Sequence, residues 1–540
     1  MTSRTHLMRW GVLAMAALLF TLIQIQFSFD QYRLAQAPFY DDVVYFCDAL
    51  ERLNTAYDKG WAALLHGFIS NPAHSPYSCV MALIGFMILG IRNWAPYVMN
   101  FLLILALLGC VNYFMRGTKV WQRVLACGIV LCIPLSGIMV LDCRPDTAWG
   151  LAAAMAVLMP LRRSFVNASW RYQLAVGGWF AAALFCKPTA CPDTVLTVGL
   201  AWIAATICDW LADTRRFSLK RAAGAWLIAA LPILVLVAPF YLLDAREIAQ
   251  YIVNSLSGVQ PRLFDKAQDW KAKLLFYISG FGGDLMFHRQ VYMIEIVLTL
   301  GAIFVIWRAI RDGNGPKARF FRTVALGVIC FITYFIPTRL GVTNPFFGVQ
   351  FQCLWILGMV IVFHMFLVHA DHPAARVFAV AVLVICACSS AFLASFVVPW
   401  RVPAGSPIAL NNARVTHAVG DALLQDAKDG DKIFFTATGW LNCRTMEYVL
   451  RQDGTTVATT DSALSQDPQL YKARMTWADF VVAAESGVIE FDDRQPGLSF
   501  DQSLKIIRQR KDFRQIAAVA SESGRQFFVF ERTRPVWPGE

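Results

Sequence analysis

Charge is what this sequence has least of. Only 16% of its 540 residues are Asp, Glu, Lys or Arg, while 57% are hydrophobic; a soluble domain carries about 25% charged residues. That shortage excludes an ordinary soluble enzyme and makes the chain an integral membrane protein. No pair of CxxC motifs stands at zinc-site spacing, so the 14 cysteines, most of them inside apolar runs, read as small hydrophobes. Cys47, Cys143, Cys186 and Cys191 fall near exposed ends, where a disulfide is open. No basic run is interleaved with aromatics, which removes nucleic acid as a partner. No internal repeat is visible, which counts against a transporter or flippase.

The long apolar runs recur to about residue 398. They predict about eleven transmembrane helices, near 10–27, 94–114, 121–141, 147–161, 172–186, 193–210, 222–243, 291–308, 320–337, 346–368 and 376–398. Arg4 and Arg9 before the first run resemble a signal peptide. Its length and the distant Ala35-Gln36-Ala37 make it an uncleaved helix instead. Tyr77–Ile91 is apolar but short, and contains Gly85 and Gly90; it reads as a re-entrant or juxtamembrane segment.

With the N-terminus inside, the short inner loops hold 18 Lys and Arg with four acids, Asp209, Asp213, Asp312 and Asp371, and the much longer outer loops hold only 13 Lys and Arg and nearly all the remaining acids. The chain then has a transmembrane catalytic domain at 1–399 and a soluble α/β domain at 400–540. The first loop (28–93), a second long loop (244–290) and the α/β domain share the exterior, the periplasm of a Gram-negative cell. The net charge of +11 divides into −1 from Arg401 onward and +12 before it. That excess belongs to membrane topology and to contacts with membrane lipids.

In the tail, Lys432–Ala437, Thr455–Thr459, Phe480–Ala484, Ile516–Val519 and Phe527–Phe530 read as strands. Asn412–Lys428, Cys443–Arg451 and Ser503–Lys511 read as helices. This alternation predicts a small α/β sandwich. The tail has neither GxGxxG nor a P-loop, so no nucleotide site is expected there.

Polar residues at the outer face carry the chemistry. Asp41 and Asp42 adjoin Tyr40 and Tyr45 in Pro38–Cys47 (PFYDDVVYFC). Such a pair can act as base and orienter at a hydroxyl, or simply cap a helix. Arg144 and Asp146 flank Pro145 in LDCRPD, and Lys187 ends an otherwise uncharged helix in FCKPTA. Arg339 and Asn344-Pro345-Phe346-Phe347 lie between two apolar helices. Arg246, Arg262, Lys266, Lys271, Lys273, His288 and Arg289 accompany the glycines of Gly280-Phe281-Gly282-Gly283 in a candidate lid or phosphate clamp. Each has a plain structural alternative as cap, snorkelling lysine, turn or solvated charge. Together they fit a phosphate ester of a polyprenol: carboxylates for a hydroxyl, cations for the phosphate, apolar helices for the tail.

In that order the motifs resemble GT-C glycosyltransferases of the bacterial protein mannosyltransferase and lipid A aminoarabinose transferase kind, over about residues 8–370. The acidic pair of YDDVVY matches first, then His74-Ser75-Pro76-Tyr77, then Ile88-Leu89-Gly90, then Arg144-Pro145-Asp146, then Lys187 after a Gly/Ala-rich helix. The usual Pro-Pro is Ser75-Pro76 here, and the late Arg/Tyr motif has only a loose counterpart in Arg339–Phe347.

The resemblance implies inverting transfer of a sugar from polyprenyl phosphate to a lipid, glycan or protein acceptor. Asp41 or Asp42 would be the base. Arg144, Asp146, Lys187 and Arg339 would form the donor-phosphate site, and Tyr40, Tyr45, His74, Asn344, Arg262 and Arg289 would be further substrate contacts. No cofactor is implied, and a divalent cation between Asp41-Asp42 and Asp146 is left open. A polyprenol-linked glycan ligase or polymerase is the enzymatic alternative.

Overall fold

The structure is a computed structural model. It describes residues 3–38, 41–70, 75–212, 217–257, 269–288, 290–311, 317–339, 343–369, 372–400, 407–436, 440–461, 468–486, 499–522 and 524–533. The chain forms two compact units. One comprises Met1–Gln24, Leu65–Ser78 and Asn100–Arg401; the other comprises Ile25–Leu64, Cys79–Met99 and Val402–Glu540.

The first unit is helical. All eleven predicted apolar runs contain helix. Among the described residues seven helices are long and apolar enough to cross a membrane, or eight if one bent pair counts as a span. The chain is thus a multi-pass membrane protein. The bent pair corrects the expectation of one straight helix over 121–141. Val120–Leu131 and Pro134–Leu141 meet at 68°. Pro134 has no N–H to continue the ladder, and Ile133 before it is extended at φ −73°, ψ 131°.

At the centre of this unit lies the helix Asp146–Arg162, buried over Asp146–Leu161. It packs on Trp170–Cys186, Cys191–Ala212 and Val349–Val368. Its small residues permit this: Ala148, Gly150, Ala152, Ala153, Ala154 and Ala156 keep the neighbouring backbones close. Trp149 Nε1 donates to Thr194 at 2.8 Å, and Gln350 Nε2 donates to Thr197 at 2.6 Å, which pins the Cys191 helix on both sides. Two glycines of the candidate lid serve close packing. Gly282 and Gly283 are buried in the helix Phe281–Phe287, and a Cβ on Gly283 would lie 2.0 Å from the Ile278 carbonyl oxygen. Close packing, not mobility, requires glycine there.

The second unit joins the C-terminal sheet to the juxtamembrane helices. Its five strands, β1 (Lys432–Phe435), β2 (Ala458–Asp461), β3 (Phe480–Ala484), β4 (Phe513–Ala520) and β5 (Gln526–Arg532), run in the order β2-β1-β3-β5-β4. β1 is parallel to β2 and β3; β5 is antiparallel to β3 and β4. β3 is buried along its whole length, as its unbroken FVVAA run requires of a central strand. The helix Pro468–Trp477, unmarked in the sequence reading, supplies the crossover from β2 to β3.

The helix Cys443–Gln452 packs against Asp41–Lys59. Phe46 of the latter meets the rings of Phe86, Tyr97 and Tyr448 at 5.5 to 5.8 Å. Asn93 joins the same core: its amide donates to the Gln36 carbonyl and its oxygen accepts from Tyr448 and Gln452. Buried Glu447 is held by Arg444 and Arg451, each at 2.8 Å, and by Thr459. Every cysteine is a free thiol. Cys47 lies against the Arg444 carbonyl, and burial raises its pKa far above the ordinary thiol range.

Candidate active site

Two clusters, one in each unit, gather part of the polar residues picked out in the sequence. The acidic cluster starts the helix Asp41–Lys59. Both carboxylates lie in its first turn, where the helix dipole favours negative charge. They differ in exposure: Asp41 faces solvent, whereas Asp42 is 6% exposed. Tyr97 donates its hydroxyl to Asp42 Oδ2 at 2.7 Å. The Arg33 guanidinium lies 5.4 Å from the centre of the Tyr97 ring. Tyr45 is buried beside them in the same helix. Tyr97 went unnoticed in the sequence because it sits at the head of an apolar run, where a tyrosine reads as an interfacial anchor.

The cationic cluster belongs to the helical unit. Lys187 is the C-cap of Trp170–Cys186 and Asp146 opens Asp146–Arg162, so each charge sits at the helix end whose dipole suits it. The Lys187 ammonium bonds directly to Asp146 Oδ1. It also lies 5.2 Å from the Trp149 ring and 5.1 Å from the Phe347 ring. The Arg144 guanidinium is 4.4 Å from the Phe346 ring and pairs with Asp142 at 3.7 Å.

Asn344 explains those aromatic positions. Its side-chain oxygen accepts from the Phe346 N–H at 3.0 Å and caps the short turn Pro345–Gly348, which presents Phe346 and Phe347 to the two cations.

The segment after His74 belongs to the same cluster. Ser75 donates to the Cys186 carbonyl at 3.0 Å, and the Cys143 thiol approaches the Ser78 carbonyl at 3.9 Å. Tyr77 lies beside both cysteines, and its buried hydroxyl makes no hydrogen bond among the described residues. The buried Thr147 hydroxyl, next to Asp146, makes none either. Both were missed, since an isolated hydroxyl in an apolar run carries no periodic signal.

Arg339 behaves otherwise. It is exposed, stacks on Phe335 of its own helix at 4.3 Å, and forms no ion pair with the Asp146–Lys187 cluster among the described residues. Tyr40, His74, Arg262 and Arg289 lie outside the described residues. Among the described residues no three His, Cys, Asp or Glu side chains form a metal-binding group.

The arrangement has clear chemical capacities. Two cations backed by aromatic faces, each set by a neighbouring carboxylate, can hold a phosphate group. An exposed carboxylate on a helix fixed through its buried neighbour can accept a proton.

No protein-family model matches the chain, nor does any curated protein. Solved structures share its fold, among them two of ArnT. ArnT from Cupriavidus metallidurans bound to undecaprenyl phosphate is 12% identical with a TM-score of 0.57, covering 98% of both chains. The apo state of ArnT from the same organism is 13% identical, also with a TM-score of 0.57, covering 95% of this chain and 97% of its own. The GT-C resemblance read from the ordered motifs therefore holds at the level of the fold.

Proposed function

We propose that this protein is an inverting glycosyltransferase that moves a sugar from a polyprenyl-phosphate donor to an acceptor hydroxyl at the outer face of the inner membrane. Lipid A, another surface glycan and a protein are the acceptor classes. The observation that carries the reading is the Asp146–Lys187 pair with Arg144 beside it, faced by Phe346 and Phe347 in an apolar helical unit. A buried ion pair costs desolvation that its own attraction barely offsets, so such a pair near a membrane points to a ligand. ArnT, which has this fold, binds undecaprenyl phosphate, and this supports the same class of lipid here.

In this reading Asp41 takes the proton from the acceptor hydroxyl. The hydroxyl oxygen attacks the anomeric carbon from the face opposite the phosphate. The bond from that carbon to the phosphate oxygen breaks, and its electron pair leaves with polyprenyl phosphate. Lys187 and Arg144 neutralise the charge that develops on the leaving phosphate, and Asp146 positions Lys187. Asp42, held by Tyr97, fixes the turn that carries Asp41. Asn344 acts through Phe346, and Arg339, Tyr40, Tyr45, His74, Arg262 and Arg289 are assigned secondary contacts with donor or acceptor. Eleven spans put the N-terminus in the cytoplasm and residues 28–93, 244–290 and 400–540 outside. The 1–399 part is then catalytic, with the tail recognising the acceptor or scaffolding the site.

Proteoliposomes with radiolabelled polyprenyl-phosphate sugars and a total envelope extract test the reading. Label should reach an acceptor with wild type and not with the double variant Asp41→Asn/Asp42→Asn. Equal transfer by both would contradict the acidic pair. No transfer from any donor would favour the ligase or polymerase.

A further inference from the structure

The cationic cluster adjoins a carboxylate that the transfer reaction has not yet used. Asp193 lies in the first turn of Cys191–Ala212, a short way along the chain from Lys187. The packing of that helix sets its direction. Thr194, the next residue, accepts from Trp149 Nε1 at 2.8 Å, and the Trp149 ring lies 5.2 Å from the Lys187 ammonium. Thr197, one turn on and on the same face as Asp193, donates to the Asp193 backbone carbonyl at 2.8 Å and accepts from Gln350 at 2.6 Å. Gln350 follows the Pro345–Gly348 turn, whose Phe347 ring lies 5.1 Å from the same ammonium. Asp193 is thus held on the side of its helix that faces the lysine, and Lys187 is the charge that acts on its carboxylate.

The structure gives this carboxylate no internal task. Asp193 is half-buried, and neither of its oxygens takes part in a hydrogen bond or a salt bridge among the described residues. It is therefore not a helix cap, although its position in the first turn would allow one. Nor is it the bonded partner of Lys187, whose ammonium goes to Asp146. At a helix end in a membrane, a carboxylate costs desolvation, and no hydrogen bond among the described residues offsets it here. Two hydroxyls at the same cluster are unused as well. Thr147, next to Asp146, is 1% exposed, and neither its hydroxyl nor the buried one of Tyr77 makes a hydrogen bond among the described residues.

A phosphate does not account for Asp193, since like charges repel. An ionised carboxylate only accepts hydrogen bonds, so its ligand must bring O–H or N–H groups. In a phosphate-linked sugar such groups stand on the ring, beside the phosphate assigned to Lys187 and Arg144. We infer that Asp193 is a substrate-contact residue that accepts hydrogen bonds from hydroxyl or ammonium groups of the donor sugar, and so helps to decide which lipid-linked sugar the site takes. The inference rests on the transferase reading and adds to it a specificity-determining residue.

The test measures binding of three lipids to the full-length protein in detergent: undecaprenyl phosphate, undecaprenyl phosphoglucose and undecaprenyl phosphoglucosamine, the last with a free amine. Wild type should bind at least one sugar-bearing lipid more tightly than undecaprenyl phosphate. Asp193→Leu should weaken that lipid by about tenfold, as loss of a hydrogen bond to a charged group does, and leave undecaprenyl phosphate unchanged. Asp193→Glu should recover part of the loss. Weakening of both sugar lipids identifies ring hydroxyls as the ligand; weakening of the glucosamine lipid alone identifies the ammonium. The substitution removes no internal hydrogen bond, so the melting temperature of Asp193→Leu should not fall. A fall in melting temperature, or equal weakening of all three lipids, would make Asp193 a structural residue and overturn the inference. So would a wild type that gains nothing from either sugar, or that binds every lipid as Asp193→Leu does. A wild type that binds no undecaprenyl phosphate would contradict the transferase reading itself, and the inference would fall with it.

Discussion

Asp42 and Asp146 look alike by position. Each lies in the first turn of a helix, and each is 6% exposed. Their partners differ. Asp146 bonds to the Lys187 ammonium, so its charge is cancelled locally. Asp42 accepts from the neutral Tyr97 hydroxyl, which orients the carboxylate. The first arrangement holds a cation in a fixed place; the second fixes the helix turn that carries an exposed carboxylate, Asp41. Burial alone therefore says little about what a carboxylate does, and the partner decides it.

The comparison can be broken by substitution. The largest effect is expected at Asp41. Asp41→Asn removes the base and should cut transfer about 10²–10⁴-fold without loss of expression, as measured by initial rates in proteoliposomes. Lys187→Met comes next. It removes a charge-stabilising group and should lower turnover about 10²–10³-fold. It also strands Asp146 in the interior, so the melting temperature should fall too; Asp146→Leu with Lys187→Met should restore stability without restoring transfer.

Tyr97→Phe keeps the ring and removes one hydrogen bond to a charged group, a loss of about tenfold in transfer. On an Asp42→Asn background the same substitution should cost much less, and a double-mutant cycle reads that difference.

The smallest effect lies in the tail. Hydrogen bonds from Arg510, with its charge and that of Arg532 adding, hold the Asp512 carboxyl below its ordinary 3.8. A lowered folded pKa contributes stability that is present above the unfolded value and lost as pH falls through the folded one. Asp512 is partly exposed, so the contribution is small. Acidification below about pH 4 should speed hydrogen exchange in β4 and β5, and Asp512→Asn should show that faster exchange already at neutral pH.

Much of the fold was legible because membrane helices and buried strands are written as local patterns. All eleven apolar runs are helical, and Phe480–Ala484 forms the strand expected of it. The bend at Pro134 was visible as a proline and passed over, since the apolar run continues through it. Pro468–Trp477 was missed because its apolar residues form no clear stripe. The joining of 25–64 and 79–99 to the C-terminal sheet had no local signal at all. It rests on contacts hundreds of residues apart, such as Phe46 with Tyr448 and Asn93 with Gln452.

The site was legible in part for the same reason. Asp146, Arg144 and Lys187 stand out as charges in apolar sequence, and the structure gathers them with Phe346 and Phe347. Tyr97, Tyr77 and Thr147 do not stand out, because only tertiary packing makes their hydroxyls matter. Arg339 also stood out, and in the structure it stacks on Phe335 of its own helix.

The division of labour between the two clusters is the central claim. Its most direct test is to measure undecaprenyl phosphate binding and single-turnover transfer on the same preparations of wild type, Asp41→Asn and Lys187→Met. Asp41→Asn should bind the lipid phosphate as wild type does and fail to transfer, while Lys187→Met should lose binding as well. Lipid binding lost equally in both variants, or retained in Lys187→Met, would contradict the account.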